Sequence, residues 1–77
     1  KMLDVKELAN KADVIIDGYA FFKHESGVRV LNLNNTAHAA VFSRKNEVLE
    51  TTMDDIEISI VKDYLKRSWK YMENEIA

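Results

Sequence analysis

The chain has no cysteine, no proline, only two glycines, no excess of positive charge and no long apolar run. Each shortage closes off a class of explanation. Without cysteine there is neither a disulfide staple nor a Cys-based zinc site, so packing or association has to supply the stability that such staples give other small domains. The absence of cysteine fits any compartment. Without proline, no strand is interrupted from within. The two glycines lie far apart, which excludes a phosphate-cradling glycine loop. Eleven Lys and Arg stand against thirteen Asp and Glu, a net charge of −2, whereas a surface that tracks phosphates shows a basic excess or stripe. The densest basic cluster, Lys62, Lys66, Arg67 and Lys70, is interleaved with Glu57, Asp63 and Glu73, and reads as a solvated helix face. No apolar run is long enough to span a bilayer, and no signal-peptide pattern opens the chain. The expectation is a cytoplasmic protein with no nucleic-acid or membrane partner, although the Lys1-Met2 start leaves room for a removed leader.

What is present is one small domain. Seventy-seven residues bury only about 60–65% of the surface their unfolded form exposes. Residues 4 to 17, DVKELANKADVIID, suit an amphipathic helix. Asp4 and Glu7 have capping-box spacing, and Val5, Leu8, Ala12, Ile15 and Ile16 share one face. Gly18 stops the helix, as the residue that enters a left-handed C-terminal conformation at least cost. From Tyr19 to Met53 the period changes to two. YAFFKHE, VRVLNLN, AHAAVFS and EVLETTM read as strands, separated by Ser26-Gly27, Asn34-Asn35 and Lys45-Asn46. Connections this short make consecutive strands antiparallel neighbours.

Alternation in the second strand is imperfect. Val28 and Val30 point one way, Leu31 and Leu33 the other, and Tyr19 and Phe21 similarly oppose Ala20 and Phe22. Either a bulge intervenes or both faces of the sheet are partly covered. Asp54 or Asp55 caps a final helix from about residue 55 to 75. Val61, Leu65, Ser68 and Met72 form its centre line. Ile58, Trp69 and Ile76 extend one flank, and Ile60, Tyr64 and Tyr71 the other. That arc is wider than the roughly 100° stripe a surface helix needs. The expected fold is α+β: α-β-β-β-β-α, a four-stranded antiparallel meander with both helices packed on one face, the first helix beside the last. Leu8, Ile15, Val61, Leu65 and Met72 belong in its core.

The chemistry-bearing residues are sparse. His24 and His38 fall on the first and third of these strands, about 10 Å apart with a strand between them, too far for direct joint ligation of one metal. Ordinary surface or edge histidines are the simpler explanation, and no metal site, cofactor or catalytic residue is assigned. Ser26, Ser43, Ser59 and Ser68 lie in no activating motif. Ser68, on the centre line of an apolar face, fits as a small residue admitting a neighbour's bulk. Asp54, Asp55 and Glu57 lack the alternation and central glycine of a calcium loop, and complement the helix macrodipole instead. Tyr and Trp at the margin of a helical arc suit interfaces, so Ile60, Tyr64, Trp69 and Tyr71 are the interface candidates.

KADVIIDGYAFFKHESGVRVLNLN and EVLETTMDDIE, with KYM near the end, resemble a family of small single-domain proteins of unknown function from gut anaerobic bacteria. The resemblance spans Asp4 to Met72 and consists of overall similarity. It implies a compact bacterial α/β domain and brings no active-site residues. Two functional expectations follow from different classes. The first is a non-enzymatic protein-interaction module that self-associates as a homodimer through the surplus face of the last helix. The alternative is a small ligand- or metal-dependent enzyme using His24, His38 and a nearby carboxylate.

Overall fold

The computed structural model describes residues 5–76, without the side chains of residues 5, 8 and 71–76. The elements follow in the order α1 (Val5–Lys11), β1 (Val14–Ile16), β2 (Tyr19–His24), β3 (Gly27–Asn32), β4 (Ala39–Ser43), β5 (Val48–Thr51) and α2 (Asp55–Ile76). The sheet is an antiparallel meander of order β1-β2-β3-β4-β5. The α+β class and the meander agree with the sequence reading. The strand count rises from four to five because the expected first helix ends at Lys11 and its apolar end, Val14–Ile16, pairs with β2.

The reason lies at Asp17 and Gly18. Both have positive φ, 48° and 81°, and they form the two-residue connection between Ile16 and Tyr19, which face each other across the ladder. Two consecutive left-handed residues give the twist that a tight hairpin needs, and Asp-Gly is a favoured pair for it. Gly18 thus turns a hairpin and does not terminate a helix. Ile15 points away from the main core and is 48% exposed, against the expectation that it is buried. Leu8, Met72 and the proposed cap at Asp4 lie outside the described residues and side chains.

At the β2–β3 hairpin the turn is Glu25-Ser26, and Gly27 already pairs with His24. A Cβ at Gly27 would collide with the Phe42 carbonyl oxygen, so glycine is required where β3 and β4 approach. The β4–β5 connection closes around Asn46, at φ 66°, with the Asn46 N–H donating to the Ser43 carbonyl at 2.9 Å. Asparagine tolerates this left-handed backbone better than most side chains do.

One sheet face carries Phe21, Val28, Val30, Ala40 and Phe42, and these pack with Met53, Val61 and Leu65 as the main core. Ser68 is fully buried, and its hydroxyl donates to the Leu65 carbonyl at 3.0 Å, so it fills the close approach of α2 to the sheet. The reverse face is also partly covered. Ala20 and Leu31 pair with each other on that side and are both buried. The β2–β3 register runs without a shift from Tyr19 to His24. The broken alternation therefore comes from burial on both faces and involves no bulge.

A bulge does occur further along. Val41 pairs with Glu50 and Phe42 with Val48, leaving Leu49 as the extra residue in β5. α2 lies against β1 and β2, while α1 meets the sheet at β2. Among the described residues, no helix is long and apolar enough to cross a membrane.

Candidate functional site

The residues with polar chemistry gather at the start of α2. Asp54 is the N-cap: its carboxylate accepts from the Glu57 N–H at 2.8 Å, and its carbonyl accepts the Ile58 N–H at 2.9 Å. Glu57 sits three residues on, where a capping-box side chain would reach back to the cap. Its carboxylate turns to the sheet instead. Oε2 accepts from the Tyr19 hydroxyl at 2.8 Å and from Asn32 Nδ2 at 2.9 Å. Oε1 lies 2.8 Å from His38 Nδ1. An ionised carboxylate only accepts, so the imidazole proton sits on Nδ1, and Nε2 is left as the other ring nitrogen.

Burial works to raise the Glu57 pKa, but the hydrogen bonds from Tyr19, Asn32 and His38 outweigh it and hold the carboxyl below its ordinary value. Tyr19 responds in the opposite sense. Burial and the bond to Glu57 push its phenol up to about 12. Chemically, the cluster can orient an imidazole against a carboxylate, with the His38 side chain 40% and the Glu57 side chain 13% exposed. It also latches the first turn of α2 to β2, β3 and the segment leading into β4. Sequence reasoning assigned Glu57 only to the helix dipole. All three of its partners are 19 to 38 residues away in sequence, and the Asp54-x-x-Glu57 spacing was the one local hint.

His24 does not join this cluster. It accepts the Ser26 N–H on Nδ1 at 3.2 Å, and lines the reverse sheet face with Arg29, Val41 and Glu50. The two histidines lie on opposite faces, and only His38 meets a carboxylate. Among the described residues, no group of three metal-ligating side chains could hold an ion.

The interface candidates on α2 have divided roles. Ile60 is 45% exposed, with Ile56 one turn earlier at 75%. Tyr64 is half-buried. Its hydroxyl donates to Asp17 at 2.7 Å, its ring lies 6.0 Å from that of Tyr19, and Arg67 sits 5.8 Å from the ring centroid. The bond to Asp17 raises its pKa. Trp69 is half-buried and donates to Asn46 Oδ1 at 2.8 Å. The side chain of Tyr71 lies outside the described set. Two of the aromatic candidates thus fasten α2 to the β1–β2 and β4–β5 turns, and among the described side chains of the helix the exposed large apolar ones are Ile56 and Ile60.

A shallow groove of about 370 Å³ opens on the reverse sheet face, lined by His24, Arg29, Val41, Glu50, Thr51 and Thr52 among others. Its floor is one cross-strand row, with Arg29 paired to Val41 and Val41 to Glu50.

The chain belongs to a family of unknown function, DUF7723, whose match covers residues 2–72. No curated protein and no solved structure matches it.

Proposed function

We propose that this member of the family is a non-enzymatic protein-interaction module that self-associates. The observation that carries the reading is the apolar surface left open once the core is filled. Ile56, Ile60, Leu49 and Ile15 are all exposed in a domain too small to bury a large fraction of its surface alone. A second copy is the partner always present at the concentration of the chain itself. Sedimentation equilibrium across a wide concentration range tests it. A monomer–dimer equilibrium supports the reading, and a strict monomer throughout removes it.

A second reading, a small ligand- or metal-dependent enzyme, draws on the His38–Glu57 pair at 2.8 Å. With His24 on the other face, such a site would rest on His38 and the carboxylate alone. Equilibrium dialysis against zinc separates the two readings: tight stoichiometric binding lost in His38→Ala would favour the enzyme.

A further inference from the structure

The reverse face of β3, β4 and β5 carries a charge pattern that complements itself. Arg29, Val41 and Glu50 stand in one row across three adjacent strands, with Val41 in the middle. Arg29 and Glu50 are exposed, and among the described residues neither forms an ion pair or a side-chain hydrogen bond. Strands are spaced about 4.8 Å apart, so the two charges flank Val41 at about equal distances on either side. The α2 side of the sheet is filled by the core, which leaves this row facing the open groove.

We propose that a second copy of this chain docks on this face about a two-fold axis running parallel to the strands over Val41. This deepens the self-association reading above and rests on it. Such an axis exchanges left and right across the row while preserving the strand direction. Arg29 then lies over the partner's Glu50, Glu50 over the partner's Arg29, and Val41 over the partner's Val41. An axis across the strands would instead stack Arg29 on the partner's Arg29 and Glu50 on the partner's Glu50, which like-charge repulsion disfavours. The permitted orientation is also the one in which two sheets pack aligned, about 10 Å apart and within about 30°. An arginine and a glutamate reaching toward each other span such a gap. The contact is isologous, so it closes at two copies.

Sedimentation equilibrium of the parent, Arg29→Glu, Glu50→Arg and the double charge swap tests the arrangement, with thermal melts checking that each variant folds. Each single variant places like charges opposite one another across the axis and should weaken the dimer at least tenfold, whereas the double swap should restore it. Lys66→Glu, a charge reversal at an exposed residue of α2, should leave the dimer constant unchanged. A dimer indifferent to both single swaps but weakened by Ile60→Glu overturns this face and leaves self-association standing through α2. Failure of the double swap to rescue the single variants also overturns it. A parent that stays monomeric at every concentration removes self-association itself.

Discussion

Replacing Glu57 with Gln tests whether the start of α2 is held by a charged carboxylate or simply by shape. The side chain is mostly buried and accepts from Tyr19, Asn32 and His38 at 2.8 to 2.9 Å. Hydrogen bonds to an ionised acceptor contribute about 1.5–3 kcal/mol each, and neutral ones about 0.5–1.5. Gln keeps the size and one acceptor but presents an amide where a second oxygen stood. The loss should therefore be about 2–3 kcal/mol at neutral pH, less than the sum of three bonds because the amide retains part of the network. That is a large share of a small domain's stability. Urea denaturation followed by far-ultraviolet circular dichroism reads it directly.

The pH dependence supplies the sharper check. Glu57 has a folded-state pKa below its ordinary value of 4.5. A group lowered in this way adds stability above its unfolded pKa and loses it as pH falls through the folded pKa. The gap between parent and Glu57→Gln should be widest near neutral pH and should narrow as pH falls below the ordinary value of 4.5 and through the lowered folded-state pKa. Equal stability of the two proteins at neutral pH, or a gap unchanged in acid, would refute the reasoning.

Three further outcomes are expected. Leu65→Ala should cost about 2–5 kcal/mol in urea melts, because it opens a cavity between α2 and Phe42's face of the sheet; a loss near zero would mean the helix is not docked there. Gly27→Ala should prevent formation of the native sheet, seen as lost dispersion in an amide NMR spectrum, since the new methyl meets the Phe42 carbonyl; a well-dispersed native spectrum would contradict that close approach. Spectrophotometric titration should find one tyrosine ionising near pH 12, absent in Tyr19→Phe. Because that pKa is raised, its stabilising contribution is complete below about pH 10 and is lost as pH rises toward 12.

α2 was legible because twenty-two residues repeat the helical period often enough to outweigh any one exception, and Asp54 gave its start. Val61 and Leu65 followed from that period. β1 was not legible, because a three-residue strand offers no alternation to count and Ile15 and Ile16 fit the expected helix face equally well, Val14 alone falling outside it. The Asp17-Gly18 pair is a strong hairpin signal, but beside an apparent helix the glycine alone read as a stop. The polar cluster was hidden for a different reason. Glu57, His38, Asn32 and Tyr19 converge only after the meander and α2 are both in place, and no local spacing encodes that meeting. The same holds for the bonds of Tyr64 and Trp69, whose hydroxyl and indole N–H meet the β1–β2 and β4–β5 turns only once the chain is folded.

The two outermost strands limit how this molecule can aggregate. β1 offers three residues, and β5 is bent by the extra Leu49, so neither presents a long straight row of backbone groups on which another chain could add as a further strand. Short and bulged margins are how sheet proteins resist templated growth. High concentration should therefore yield particles of fixed size, and seeding with preformed fibrils should find no purchase on the folded chain.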